Sequence, residues 1–201
     1  GWPGSRVSSW LNGGLFGGAA GPPAWYVGIA HAAVSLPATP IVFTSTADGG
    51  TGDFGLYMDL VLVAYIRSQD TGDPYTYISL NNSTSFTSTN KYMQGDGSSV
   101  SAGSSVGVAG KAWVWRHPYS TQTANVFGTG ICTFFDINSD KYKSMLSQSA
   151  SDLDGSGYCF MATNTIATTA VVSSIEINDG AGAGWSVGST FDLFGLKREP
   201  A

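Results

Sequence analysis

One short segment has residue types at the spacing of a calcium-binding loop. In "DLDGSGY", Asp152, Asp154 and Ser156 occupy the first, third and fifth positions of an EF-hand loop, where side-chain oxygens bind Ca²⁺. The position that would need a bidentate glutamate is Thr163. A hairpin turn rich in Asp and Gly has the same letters without a metal. We therefore expect a turn here, with no metal and no cofactor.

Residues for nucleophilic or acid–base catalysis are sparse. The two histidines are His31, inside an apolar segment, and His117, which precedes a proline, and the chain has no GxSxG motif. Glycoside hydrolysis needs two carboxylates at a defined separation. The two glutamates are Glu176 and Glu199, and most aspartates fall in turn clusters, so no catalytic pair stands out. We expect the protein not to be an enzyme.

A Gly- and Ser-rich segment, "GDGSSVSAGSSVG", could be taken for a phosphate-binding loop. It lacks the lysine and the following helix of such loops. Its composition predicts a flexible loop instead.

Aromatic side chains leave sugar binding open. Trp113 and Trp115, with Tyr119, could form a platform on which a pyranose ring stacks. The same residues commonly fill the core of a β sandwich, which is the favoured interpretation. A glycan partner is therefore possible but is not required.

The two cysteines each lie inside a predicted strand. Cys132 occurs in "GICTFFDI" and Cys159 in "GYCFMAT". Burial as small apolar residues is favoured, and a disulfide between neighbouring strands is the alternative. A zinc site is not indicated, because the chain has no CxxC motif and no nearby histidine.

Composition excludes some partners. Charged residues make up 11% of the chain, the formal net charge is −5, and lysines and arginines are scattered. Nucleic-acid binding requires clustered cations, so DNA and RNA are not expected.

The N-terminal region is almost uncharged. No residue between Arg6 and Asp48 carries a formal charge when His31 is neutral. Prolines bound the apolar run Ala24–Leu36, which as a helix would span only about 20 Å of the ~30 Å hydrocarbon core. The Gly-Gly and Pro-Pro interruptions also suit a signal-peptide core poorly. We therefore expect no membrane span and assign residues 1–40 to an extended Gly/Pro-rich arm.

From Ile41 onward, short apolar segments alternate with clusters of Gly, Asn, Asp and Ser. Ten such segments are predicted strands, and no long helical stripe occurs. This pattern predicts an all-β domain over residues 41–201, closed as a two-sheet sandwich. Ile175 and Ile177 alternate with Glu176, which predicts a half-buried strand.

Two strands have informative patterns. "DLVLVAYI" is apolar on both faces, so we expect a central strand covered on its second face by the arm or a neighbouring subunit. "KAWVWR" places Trp113 and Trp115 on one face with Val114 opposite. The chain ends in "VGSTFDLFGLKREPA", where Phe191 and Leu193 alternate with Asp192 and predict a terminal strand.

This C-terminal half resembles a family of virion proteins of tailed bacteriophages. The motifs that carry the resemblance are, in chain order, "YTYISLNNSTS", "NKYMQGDGSSVSAGSS", "VVSSIEI" and "GSTFDLFGLK", and the resemblance covers about residues 56–197. The resemblance implies a jelly-roll-like β sandwich in an oligomeric virion component that has no known catalytic residues.

We therefore expect a structural virion protein, most simply a capsid decoration or cement protein bound to the major capsid protein. The alternative is a receptor- or carbohydrate-binding module of a tail or head fibre. A charge-poor surface and the resemblance together predict a homotrimer. The large apolar residues of the arm are the predicted contacts with the partner: Trp2, Trp10, Leu11, Leu15, Phe16, Trp25 and Tyr26.

Overall fold

The computed structural model describes residues 25–37, 40–72 and 74–197, with only the backbone at 107 and 108. Within these ranges the chain forms β-strands and one turn of 3-10 helix, Phe54–Leu56. The strands are β1 (Tyr26–Ala33), β2 (Ile41–Thr44), β3 (Asp59–Ile66), β4 (Tyr75–Leu80), β5 (Thr87–Gly95), β6 (Val100–Ala109), β7 (Ala112–Arg116), β8 (Gly128–Phe135), β9 (Lys143–Asp152), β10 (Gly157–Ile166), β11 (Ser174–Asp179) and β12 (Thr190–Leu196).

The strands form two sheets. The larger has eight strands in the order β1-β12-β3-β8-β9-β10-β5-β6, and the smaller has four in the order β2-β11-β4-β7. Neighbouring strands pair antiparallel in both sheets. The prediction of an all-β, two-sheet sandwich is confirmed. The described residues contain no helix with the length and hydropathy that a membrane crossing requires.

The core lies between the two sheets. Leu60 and Leu62 of β3 and Phe191 and Leu193 of β12 are fully buried, as are the isoleucines of β11. Period-two alternation sends one set of side chains of each strand inward, which is why these residues meet. The half-buried strand predicted for "SIEIND" is confirmed by the alternating burial of β11.

A tryptophan connects the two sheets. Trp115 of β7 is buried, and its Nε1 donates to the carbonyl oxygen of Ile131 in β8 at 3.0 Å. Gly130 makes this approach possible, because a Cβ at that position would lie 2.6 Å from the indole ring. The smaller sheet therefore packs on the centre of the larger one at this point.

Two buried polar side chains fix loops. Asp179 accepts hydrogen bonds from the Ser68 hydroxyl at 2.9 Å and from the backbone N–H groups of residues 182, 183 and 184. Arg67 donates to the carbonyl oxygens of residues 120, 122, 123 and 126. Buried charged groups are tolerated when hydrogen-bonded in this way. The Gly-rich loop after β11 and the segment before β8 are therefore ordered by side chains from elsewhere in the fold.

The N-terminal boundary of the sandwich differs from the sequence-based expectation. Strand β1 lies at Tyr26–Ala33, inside the segment that we assigned to an arm, and pairs along β12 as an edge strand of the larger sheet. Its inward residues, Val27, Ile29, Ala30 and Ala32, pack against the core. These apolar contacts are the physical reason why the strand joins the sheet. Residues 1–24, the rest of the predicted arm, lie outside the described residues.

The prediction of a flexible loop at "GDGSSVSAGSSVG" is wrong. Val100–Ala109 forms β6, which pairs with β5 at the other edge of the larger sheet. Only the turn before it, residues 96–99, resembles a loop: the Asp96 carboxylate accepts from the N–H groups of Ser98 and Ser99. Backbone hydrogen bonds to β5 hold β6 in place, so the strand does not need an apolar sequence.

Strand β3 is central as predicted, since β12 and β8 flank it. Its inward face is covered by the smaller sheet. On its outward face Val61 is buried, whereas Val63 and Tyr65 are 38% and 46% exposed. The described residues therefore cover one of these three outward side chains and leave the other two partly exposed.

Candidate functional site

The side chains considered for catalysis do not converge. His31 Nδ1 lies 2.7 Å from Asp192 Oδ1 in an exposed pair between β1 and β12. His117 is buried, with its ring edge-on to Trp185 at 5.3 Å and its Nδ1 3.2 Å from the Pro118 carbonyl oxygen. One histidine therefore lies on the surface of the larger sheet and the other in the core.

The "DLDGSG" segment forms the turn between β9 and β10. The backbone N–H of Asp154 donates to the Asp152 carboxylate at 2.9 Å, and that of Leu153 donates to the Ser156 carbonyl oxygen at 2.8 Å. Asp154 has a φ of 63°, a left-handed conformation that Asp tolerates in tight turns. The residues that the structure describes include no group of three or more His, Cys, Asp or Glu able to hold a metal.

The proposed sugar platform is not formed as the sequence suggested. The pairing of β4 with β7 has a register shift between Thr76 and Tyr77. Trp115 pairs with Thr76 and Trp113 pairs with Tyr77, so the two indole rings have different surroundings. Trp115 fills the core, whereas Trp113 is only partly buried. The β-bulge is the physical reason, since the extra residue breaks the alternation on which the prediction relied.

Trp113 instead belongs to an aromatic cluster beside β5. It stacks on Tyr75 at 5.2 Å between ring centroids and lies 6.0 Å from Tyr92, which stacks on Phe160 at 5.7 Å. Gln94 lies at the margin, where its Oε1 is 3.4 Å from the Tyr75 hydroxyl. Because these ring faces already contact each other, the cluster offers little free stacking surface.

Two of the seven predicted contact residues can be placed. Trp25 and Tyr26 are 49% and 59% exposed, at the point where the chain enters β1. The carbonyl oxygen of Trp25 accepts from the Lys197 N–H at 3.1 Å. The other five, Trp2, Trp10, Leu11, Leu15 and Phe16, lie outside the described residues.

The most distinctive surface is the side of the larger sheet that faces away from the smaller sheet, which we call the outer face. Seventeen large apolar side chains are exposed in the described part of the chain, and ten of them belong to this face. They are Tyr26, Val63, Tyr65, Met93, Val100, Val106, Ile131, Phe135, Leu146 and Met161. A patch that includes so many of the exposed apolar residues marks an interaction surface.

Strand register aligns these residues in rows across the sheet. One row runs from Val63 of β3 to Ile131 of β8, continues through Gln148 of β9 to Met161 of β10, and ends at Met93 of β5. Paired residues on one face lie about 4.5–5.5 Å apart, so each row is a continuous strip. The middle of the outer face is therefore apolar on four of these five strands, with Gln148 of β9 as the one polar residue in the row.

A groove of about 680 Å³ follows these rows and is lined by Val63, Ile131, Met161, Met93 and the exposed Cys159 among others. It continues into a second depression of about 940 Å³ beside Phe127, Asp96 and the β9–β10 turn. The walls of the first groove are mostly apolar, with Gln94, Thr129 and Gln148 among the polar residues that line it. Such a lining favours an apolar partner surface over a polar metabolite.

Few charges lie on the outer face. Lys91 of β5 and Asp192 of β12 are near opposite sides of it, and Asp152 ends β9 beyond the apolar rows. Beside the groove, the N–H groups of Ser99 and Ser98 hold the pKa of the Asp96 carboxyl at about 2, so this carboxylate is ionised at neutral pH. The charged groups thus surround an uncharged centre.

The two cysteines are not bonded to each other. Cys132 is buried in the core on the inward face of β8, and Cys159 is exposed on the outer face of β10. Burial raises the pKa of the Cys132 thiol, which keeps it protonated and unreactive. Of the two alternatives, burial as a small apolar residue is therefore correct for Cys132 alone.

Comparison with known protein families, with curated proteins and with solved structures gives no match of the chain in any of the three.

Proposed function

We propose that this protein is a structural component of a bacteriophage particle, of the capsid decoration or cement type, and not an enzyme. The virion assignment comes from the resemblance of the C-terminal motifs, which also implies a jelly-roll-like arrangement. The observation that carries the structural role is the apolar outer face of a sheet with eight strands. A protein that works by covering and clamping other surfaces needs such a face, whereas a catalyst needs converging polar groups.

The N-terminal segment supports docking onto a shell. Its large apolar residues are separated by Gly and Pro, so they are suited to filling pockets on a partner. Buried aromatic anchors contribute about 2 kcal/mol or more each at true hot spots. The near absence of charge predicts docking that depends only weakly on salt. The expected partners are the major capsid protein and further copies of this chain.

Two measurements test the role and the docking segment separately. Antibody labelling of purified phage particles, imaged by electron microscopy, is expected to decorate the head at regular positions.

A chain beginning at Trp25 is expected to keep the circular dichroism spectrum of a β protein and to lose co-sedimentation with particles that lack this protein. A substitution of Val42 by Lys, on an exposed strand of the smaller sheet, is the matched control and should still sediment. Unlabelled particles would overturn the proposal, and sedimentation of the shortened chain at full affinity would exclude the segment as the anchor.

A second candidate function is a carbohydrate-binding module of a fibre. The observation in its favour is the partly exposed Trp113 next to Tyr75, with Gln94 and Arg116 as hydrogen-bonding groups at the margin. Glycan-array binding by the purified protein, lost on Trp113→Ala and kept on Trp25→Ala, would favour this function. Absence of binding across the array would argue against it.

A further inference from the structure

The outer face contains enough surface for a stable protein interface. Eight strands spaced about 4.8 Å apart span about 34 Å, and seven residues rise about 20 Å along a strand, so the face covers roughly 700 Å² in projection. A stable complex buries about 800 Å² on each partner. The accessible area exceeds the projection because side chains protrude, so a single partner could cover the face.

From this geometry we infer that the outer face binds the outer face of a second copy of the chain, with a twofold axis that runs parallel to the strands between β8 and β9. This inference rests on the proposed function as a structural component of a particle, and it identifies the surface through which copies of the chain associate. Two sheet faces pack about 10 Å apart, as the layers of a sandwich do. A surface that binds its own copy requires a twofold axis, whereas a threefold axis joins two different surfaces, so this pairing replaces the trimer expected from the sequence.

Strand order determines which strands meet across this axis. The order β12-β3-β8-β9-β10-β5, read backwards, places β12 over β5 and β3 over β10 of the second copy. Val63 then lies over Met161 of the second copy, because both residues belong to the same cross-sheet row. The same row places Ile131 over Gln148 beside the axis, so the apolar Val63–Met161 contact lies farther out. The twofold axis repeats both contacts, as it does in any isologous interface.

Charge selects the direction of the axis. With the axis parallel to the strands, Asp192 of one copy faces β5 of the other, the strand that carries Lys91 one row away. An axis perpendicular to the strands would place each strand over itself, so Asp192 would face Asp192. Opposite charges at the margin add specificity, whereas like charges are unfavourable. In the first arrangement Asp192 lies over Met93, one row from Lys91, so this arrangement has the more favourable placement of charges.

The main test measures mass in solution with the full chain. Light scattering at micromolar concentration is expected to give twice the 20.9 kDa of one chain. Ile131→Lys, at a 44% exposed centre position, should reduce the mass to one chain without lowering the melting temperature appreciably. Val42→Lys, 50% exposed on the smaller sheet, is the matched control and should leave the pair intact. A single-chain mass for the unsubstituted protein, a three-chain mass, or no effect of Ile131→Lys would each overturn the inference.

A charge exchange tests the direction of the axis. Lys91→Asp is expected to weaken self-association about tenfold, and adding Asp192→Lys to it should restore most of the loss. Lys141→Asp, in the exposed loop before β9, should change nothing. If the doubly substituted chain associates no better than Lys91→Asp alone, the proposed axis is wrong.

The exposed thiol distinguishes a second copy from a segment of the same chain. Cys159 lies on the outer face, so its reaction with a maleimide should be slow in concentrated protein and accelerate on dilution. Protection that does not change with dilution would assign the face to a segment of the same chain and overturn the inference. All three tests use purified protein, so their failure is distinct from a failure to dock onto particles.

Discussion

Truncating Phe191 to alanine tests whether the last strand is part of the core. The Phe191 side chain is fully buried and lies edge-on to Trp185 at 5.3 Å between ring centroids. Removing a buried phenylalanine costs about 3–5 kcal/mol, because apolar contacts are lost and a cavity remains. Against a total stability of about 5–15 kcal/mol, this is a large fraction.

The same strand provides the control. Phe194 points to the outer face and is only partly buried, so Phe194→Ala should cost less than Phe191→Ala. For a chain of this size each kcal/mol lowers the melting temperature by about 2–4 °C, which gives a loss of about 6–20 °C for Phe191→Ala. Thermal unfolding followed by circular dichroism measures both variants. A shift below about 2 °C for Phe191→Ala, or an equal shift for the two variants, would contradict the packing described here.

Three further predictions concern other parts of the fold. In a Cys159→Ser variant, which removes the exposed thiol, the buried Cys132 thiol should react with Ellman's reagent only after unfolding, because burial raises its pKa; rapid reaction of this variant while folded would show that the core opens. Millimolar calcium should leave the melting temperature unchanged, whereas a rise abolished by Asp152→Ala would establish a metal site at the β9–β10 turn. Asp179→Ala should cost about 3 kcal/mol in denaturant unfolding because its backbone donors lose their acceptor; a loss below about 1 kcal/mol would mean that water replaces it.

The part of the fold that sequence predicts is the part with local signals. Alternation of Phe191 and Leu193 with Asp192, and of Ile175 and Ile177 with Glu176, identified strands whose inward faces are buried. These patterns report burial directly, since the side-chain period of a strand is two.

The strands that sequence analysis missed lack such a signal. Strand β1, "YVGIAHAA", is rich in small residues and lies near prolines, and β6 is rich in Gly and Ser. Both are edge strands, held by backbone hydrogen bonds to β12 and β5. Whether a residue in an edge strand adopts the β conformation depends more on the neighbouring strand than on the residue type. The sequence of the segment alone therefore does not predict the strand.

The outer face was only partly predictable. The two-sided apolar pattern of β3 did predict an unusual second face. The row from Val63 to Met93 could not be predicted, because it depends on the register of five strands that are far apart in the chain. A slip of one residue in any strand would turn its apolar residues inward. A site that depends on the register of several strands can be identified only from the folded structure.

Strand β12 connects the edge strand β1 to the rest of the larger sheet. Strand β12 lies between β1 and β3, so the N-terminal edge strand is attached to the centre of the larger sheet through the C-terminal strand. A force applied to residues before Trp25 would act along β1 and load its hydrogen bonds with β12 in shear, together with the bond from Lys197 to the Trp25 carbonyl. Many backbone hydrogen bonds would then share the load, which would suit the proposed docking through the N-terminal segment.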